Sequence, residues 1–169
     1  DVPNLETRLE IILTGNRSGI QSALELNPAY ELVSGRLHIR HAESVIEMDA
    51  KPAHVLRRGR DSSMWKAFEA VAAGEADACV SGGSTAAMMV TGVKVLGMLK
   101  GIQRPALMAW VPNSRAYTGM LDLGANVDCT TRQLCEFAEM GVAYSHYALG
   151  VDNPRVALLN IGEENKKGT

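Results

Sequence analysis

The apolar and polar residues of this 169-residue chain follow two alternating patterns. Short apolar runs bounded by Gly, Asn or Pro predict buried strands, whereas stretches with apolar residues every three or four positions predict helices. The predicted strands are residues 9–13, 37–41, 76–80, 106–111, 119–123 and 156–161. The predicted helices are residues 18–26, 52–58, 64–73, 85 to about 99, and 130–148.

The ends of two predicted helices carry clear local signals. Ser62 lies in an Asp-Ser-Ser cluster that can cap the helix beginning at Met64, and Gly74 closes that helix. Thr130 or Thr131 can cap the last helix, which Gly150 ends.

Alternation of strands and helices predicts an α/β fold, with a mainly parallel sheet covered by helices on both faces. The neighbouring strands within residues 106–123 could instead form an antiparallel pair at a sheet edge. No internal repeat or linker interrupts the pattern, so residues 1–169 are expected to form a single α/β domain.

Composition narrows the possible functions. The 17 basic and 19 acidic residues give a net charge of −2, so the chain has no overall positive potential that would attract nucleic acid. Aromatic residues make up only 5%, too few to predict a surface on which bases stack. Any anion site must therefore be local. Three cysteines and four histidines fit no metal or redox spacing, and we expect neither a metal nor a cofactor. The chain is expected to be cytoplasmic, since its longest apolar stretch is interrupted by Thr91 and Lys94.

A strand–loop–helix segment is the first candidate site. Its loop is made of Ser81, Gly82, Gly83, Ser84 and Thr85. The first amides of a helix have no partner within the helix, the helix dipole favours negative charge there, and glycines allow close approach. The loop therefore predicts a phosphate-binding site. The alternative is a tight turn with an N-cap serine.

Polar residues after two other predicted strands form the second candidate. Asp122 and Asn126 follow the strand at residues 119–123, and Asn160 lies near the end of the last strand. In open α/β sheets ligands bind at the carboxyl ends of the strands, so we expect these residues to meet near the loop. The alternative for Asp122 and Asn126 is that they only brace turns.

A group of basic residues stands out in this slightly acidic chain. It consists of Arg57, Arg58 and Arg60, with Lys66 nearby. The cluster predicts either a solvated helix face or a docking surface for an acidic partner.

Five segments, including two long motifs, resemble the PlsX family of bacterial phosphate acyltransferases. Residues 122–128 read Asp-Leu-Gly-Ala-Asn-Val-Asp, and residues 153–164 read Asn-Pro-Arg-Val-Ala-Leu-Leu-Asn-Ile-Gly-Glu-Glu, both as in the family. Residues 61–64, 81–87 and 101–107 are also similar. The first loop departs from the family pattern, with Ser84 in place of Asn and Ala86 in place of Gly.

The resemblance implies a three-layer α/β/α fold like that of phosphotransacetylases and of isocitrate and isopropylmalate dehydrogenases. It implies transfer of an acyl group from acyl carrier protein to inorganic phosphate. Asp122, Asn126, Asn160 and Lys167 would be the catalytic residues, and Arg57 and Arg60 would meet the carrier protein. A homodimer is implied, with peripheral contact to the membrane and to the downstream glycerol-3-phosphate acyltransferase.

Two alternatives remain open from sequence. One is a short-chain phosphotransacetylase that uses a coenzyme A thioester, and the other is a non-catalytic scaffold that binds acyl carrier protein. The resemblance also leads us to expect that the chain is a partial domain, because the family's N-terminal segment and C-terminal half are not matched.

Overall fold

The computed structural model describes residues 9–114, 116–124, 126 and 128–159. Its internal contacts divide the chain into two compact units, Asp1–Gly97 and Met98–Thr169. The single domain expected from sequence stays a prediction.

The first unit contains a parallel pair of strands and five helices among its described residues. The strands are β1 (Ile11–Gly15) and β2 (Leu37–His41), with Ile11 opposite Leu37. The helices are α1 (Arg17–Glu25), α2 (Tyr30–Val33), α3 (Pro52–Arg58), α4 (Ser63–Ala72) and α5 (Thr85–Leu96). Short 3₁₀ turns occupy Ser34–Arg36 and Gly59–Asp61.

Helices α3, α4 and α5 enclose the core of the first unit. Its centre is a cluster of Val55, Met64, Phe68 and Ala87, all at most 7% exposed. A Cβ at Gly92 of α5 would lie 3.2 Å from the Phe68 ring, so the glycine permits close packing of α5 on α4.

The second unit combines a β-hairpin with a long helix. Strands β3 (Met108–Pro112) and β4 (Tyr117–Leu121) are antiparallel, and α6 (Thr131–Leu149) follows. The helix has the predicted caps, because Thr130 and Gln133 form a capping box and Gly150 has a φ of 68°. A Cβ at Gly141 would lie 2.9 Å from Leu121 Cδ1, so this glycine lets α6 approach β4.

The mixed α/β class is confirmed, but two predicted strands are wrong over their described residues. Residues 76–80 form no strand, and Val80 is 97% exposed. Residues 156–159 likewise form no strand, with Leu158 69% exposed, while residues 160 and 161 lie outside the described part. The reason is that a strand needs a hydrogen-bonded neighbour, which an apolar run alone does not specify. The described strands form one parallel and one antiparallel pair.

None of the helices in the described ranges is long and apolar enough to cross a membrane. Over the same ranges, His, Cys, Asp and Glu side chains form no group of three that could hold a metal ion.

Candidate functional site

Ser84 is the N-cap residue of α5 and accepts hydrogen bonds from two backbone N–H groups of the helix. The Ser84 hydroxyl accepts a hydrogen bond from the Ala87 N–H at 3.4 Å, and its carbonyl accepts one from Met88 at 2.9 Å. Ser84 is itself buried, with 6% of its surface exposed. The N-cap role considered from sequence is therefore confirmed for this serine.

The two glycines of the loop have different surroundings. The Gly83 N–H donates to Ser81 Oγ at 3.1 Å, and a Cβ at Gly83 would lie 3.0 Å from Met64 Cε. A side chain at position 83 would therefore displace the flexible end of Met64, so close packing favours a glycine there whether or not a ligand binds. A Cβ at Gly82 would meet nothing within 4 Å, so the loop is open on that side.

Two backbone donors remain open at the start of α5. Thr85 and Ala86 are exposed, and no acceptor in the described residues takes their N–H groups. Both lie in the first turn of a 12-residue helix, where the dipole favours an anion. The loop can therefore offer an anion these two amides and the Thr85 hydroxyl, whereas Gly83 and Ala87 donate within the protein.

Asp122 has an unusual backbone conformation at the end of β4. Its φ is +60°, the left-handed region that costs a non-glycine residue roughly 1 kcal/mol or more. Hydrogen bonds hold this conformation: the Asp122 N–H donates to Leu107 O at 2.7 Å, and Gly124 donates to Asp122 O at 2.9 Å.

The Asp122 carboxylate organises the loop that follows it. Its Oδ1 accepts from the backbone N–H of Asn126 at 3.1 Å and from Asn126 Nδ2 at 2.9 Å. Its Oδ2 accepts from the Cys129 thiol at 3.3 Å. The carboxylate therefore binds three donors of its own chain.

Asn126 is engaged through both ends of its side-chain amide. Nδ2 also donates to Pro105 O at 3.3 Å, so its two hydrogens have partners in Asp122 and Pro105. Its Oδ1 faces Arg104 Nη1 at 3.5 Å. For Asn126 to donate to a substrate, as the sequence predicts, its amide must leave one of these partners.

Sequence reasoning assigned no role to Cys129 or Arg104, which complete this cluster. Burial, followed by the hydrogen bond and charge of Asp122, raises the pKa of Cys129 above its ordinary value of 9.0, while Arg104 opposes the shift. The thiol is therefore a proton donor to Asp122 at neutral pH. The one feature of the sequence that points to Arg104 is its position before Pro105 in residues 101–107, which resemble the family.

The basic cluster of the first unit is exposed. Arg57 and Arg58 occupy the last turn of α3, where the helix dipole favours cations, and Arg60 follows. Lys66 pairs with Glu69 at 3.1 Å. The three arginines have no carboxylate within ion-pair distance among the residues described, so their charge faces solvent.

The structure does not test whether the predicted groups meet. The loop of Ser81 to Thr85 belongs to the first unit and Asp122 with Asn126 to the second, whereas Asn160 and Lys167 lie outside the described residues. Their convergence remains a prediction.

Comparison with known proteins gives the family. Residues 4–169 match the family described as fatty acid synthesis protein. A protein named phosphate acyltransferase from Paramagnetospirillum magneticum is 46% identical over 157 residues, covering 93% of this chain and 44% of that protein. Its namesake from Halorhodospira halophila is 46% identical over 160 residues, covering 95% of this chain and 46% of the relative.

A third protein named phosphate acyltransferase, from Phenylobacterium zucineum, is 50% identical over 133 residues, which cover 79% of this chain and 38% of that protein. The chain thus spans less than half the length of these relatives. The match nevertheless covers nearly every residue of the chain. The resemblance to PlsX is thereby confirmed, and the chain belongs to the fatty acid synthesis protein family.

Proposed function

We propose that this protein is a phosphate acyltransferase that moves a fatty acyl group from acyl carrier protein to inorganic phosphate, forming acyl phosphate for phospholipid synthesis. The observation that carries the proposal is the family match over residues 4–169, together with relatives named phosphate acyltransferase at 43–50% identity.

The chemistry requires positioning more than activation. Inorganic phosphate is already an oxygen nucleophile near neutral pH. One phosphate oxygen attacks the thioester carbonyl carbon, the C–S bond breaks, and the carrier thiolate leaves and takes up a proton. Holding phosphate against the carbonyl and stabilising the oxyanion with fixed donors would supply the acceleration.

The open donors at the start of α5 support a phosphate site in the first unit. The N–H groups of Thr85 and Ala86 and the Thr85 hydroxyl would bind phosphate oxygens, while Ser81 and Ser84 hold the loop in shape. Gly82 leaves the approach clear.

The second unit would supply orientation. Asp122 holds Asn126, which with Asn160 would donate to phosphate or oxyanion, and Lys167 would neutralise developing charge. For Asn126 this role requires the exchange of an internal hydrogen bond for one to substrate.

The wider proposals follow from the family. They comprise the three-layer α/β/α fold, a homodimer, a cytoplasmic location with peripheral membrane contact, and supply of acyl phosphate to a glycerol-3-phosphate acyltransferase. The uncompensated charge of Arg57 and Arg60 supports docking of the acidic carrier protein.

The docking proposal is tested by reversing charge at the cluster. Because opposite charges steer encounter, Arg57→Glu with Arg60→Glu should raise KM for acyl carrier protein substrates about 10-fold at low salt, with kcat little changed. Lys94→Glu, at an exposed cation elsewhere in the same unit, is the control. An unchanged KM in the double variant would mean that the arginines are only a solvated helix end.

The activity is tested directly by trapping acyl phosphate as its hydroxamate from purified protein, phosphate and acyl donor. Product formation that requires phosphate and prefers acyl carrier protein over coenzyme A donors supports the proposal. Preference for short coenzyme A thioesters would indicate a phosphotransacetylase. Binding of acyl carrier protein without product would indicate a scaffold.

A further inference from the structure

We infer that Arg104 binds a phosphate group in the second unit. The inference deepens the proposed function and rests on it for the identity of the substrates. Arg104 lies in the segment between α5 and β3, and its side chain is exposed. Among the described cations, Arg104 alone contacts the Asp122–Asn126 cluster, and it does so through Asn126 Oδ1.

The backbone around Arg104 is fixed on both sides. The preceding residue, Gln103, donates its N–H to Glu136 Oε2 at 2.7 Å, and Glu136 is only 6% exposed. The following residue, Pro105, accepts from Asn126 Nδ2 at 3.3 Å. A buried carboxylate on α6 and the Asn126 amide therefore hold the two neighbours of Arg104.

Further hydrogen bonds hold the segment that contains Arg104 and the carboxylate of Glu136. Leu107 O accepts from the N–H of Asp122, so the segment is also tied to the end of β4. Glu136 is held in turn by Arg132, whose Nε lies 2.9 Å from Glu136 Oε1. A backbone fixed in this way lowers the entropy cost of placing the arginine against a ligand.

Most donors of Arg104 remain available. A guanidinium carries five N–H donors, and only one of its nitrogens contacts Asn126, at the outer limit of hydrogen bonding. Arg104 forms no ion pair with a carboxylate of the described residues, although Asp122 lies in the same cluster. The Asp122 carboxylate is instead turned to Asn126 and Cys129.

This combination suits a phosphate group. A planar guanidinium on a fixed backbone can bind two phosphate oxygens in a bidentate manner. The group could belong to inorganic phosphate or to the phosphodiester of a pantetheine arm on the acyl donor. Both groups would be recognised by the same guanidinium contacts. They can be distinguished because substitution of Arg104 would raise KM for phosphate in the first case and KM for the acyl donor in the second.

The test compares Arg104→Gln and Arg104→Lys with wild type in steady-state kinetics of the purified full chain. Loss of a charge-assisted bidentate contact should raise KM about 10- to 100-fold in Arg104→Gln, and Arg104→Lys should recover part of the loss. A rise confined to KM for phosphate identifies inorganic phosphate, and a rise confined to KM for the acyl donor identifies the phosphodiester. Lys100→Gln removes a charge from an exposed residue four positions earlier and should leave both constants unchanged.

Calorimetric titration with inorganic phosphate separates the inference from the proposed function. Turnover in wild type with unchanged constants in Arg104→Gln would overturn the inference and leave the function standing. Phosphate binding that Arg104→Gln weakens, in a protein without turnover, would support the inference and reject the function. Wild type that does not turn over, and that binds neither millimolar phosphate nor acyl carrier protein more tightly than Arg104→Gln does, would overturn both.

Discussion

Asp122 combines a strained backbone with a carboxylate that binds three donors, and these two contributions can be separated by substitution. Asp122→Ala removes the acceptor for both Asn126 donors and leaves a non-glycine residue at φ +60°. We expect the free energy of unfolding to fall by about 3 kcal/mol, from the loss of two charge-assisted hydrogen bonds, partly offset because the half-buried donors regain water. The left-handed penalty is already present in wild type and stays unchanged in Asp122→Ala.

Asp122→Gly also removes the acceptor but adopts positive φ without strain. The free energy of unfolding should therefore fall by about 1 kcal/mol less in Asp122→Gly than in Asp122→Ala. This is the reverse of the usual order, in which glycine is the more destabilising substitution. Asp122→Asn tolerates the left-handed region and keeps one acceptor oxygen, so we expect a loss of only about 1 kcal/mol.

Equilibrium denaturation in urea measures these differences, provided that the slope with denaturant is the same for all variants. Asp128→Ala serves as the matched control, because Asp128 is an exposed carboxylate of the same loop, and it should change stability by less than about 0.5 kcal/mol. Asp122→Gly proving less stable than Asp122→Ala would refute the strain argument, and three variants as stable as wild type would refute the role of the carboxylate.

Two further predictions concern packing and pH. A Cβ at Gly119 would lie 2.9 Å from Trp110 Cη2. Gly119→Ala should therefore destabilise the protein by about 1–3 kcal/mol and shift the tryptophan fluorescence. The control is Gly35→Ala, whose Cβ would meet nothing within 4 Å and which should change neither quantity. The raised pKa of Cys129 means that the folded state favours the protonated thiol, so its contribution to stability is complete below the ordinary pKa of 9.0 and is lost as pH rises through the raised pKa. Urea titrations between about pH 8 and 11 should therefore show a steeper loss in wild type than in Cys129→Ala, and parallel curves would contradict the reasoning.

Local chemistry explains which features could be predicted from sequence. Ser62, Thr130 and Gly150 act through hydrogen bonds or dihedral preferences within a few residues of their own position, and the helices begin and end close to where these residues predict. The strand at 37–41 was likewise predicted with its observed bounds.

Features that depend on distant partners could not be predicted in the same way. Residues 76–80 have the composition of a strand, yet a strand forms only where a neighbour supplies hydrogen bonds. The contact between Arg104 and Asn126 spans 22 positions and depends on the β3–β4 hairpin, so no local pattern predicted it.

The hydrogen bonds also show that membership of a motif does not by itself assign a residue to the chemistry. Gly83 belongs to the family-like loop, but close contact with the end of the Met64 side chain already favours a glycine there. Asn126 belongs to a longer motif, but both hydrogens of its side-chain amide already have partners in the protein. A residue can thus be needed for the shape of a site without touching a ligand.

The atoms available to a ligand are those that remain once internal bonds are assigned. In the described part of the two candidate sites they include the amides of Thr85 and Ala86 in the first unit and the outer donors of Arg104 in the second. Asp122 and Glu136 carry negative charge beside the second group, yet their oxygens are turned to Asn126, Cys129, Gln103 and Arg132. Because those oxygens already have donors, they form no ion pair with Arg104 among the described residues, and most of its N–H groups stay open to an external anion. Both hydrogens of the Asn126 amide, in contrast, already have partners, which is why Arg104 is a stronger candidate than the asparagine that the motif itself highlights.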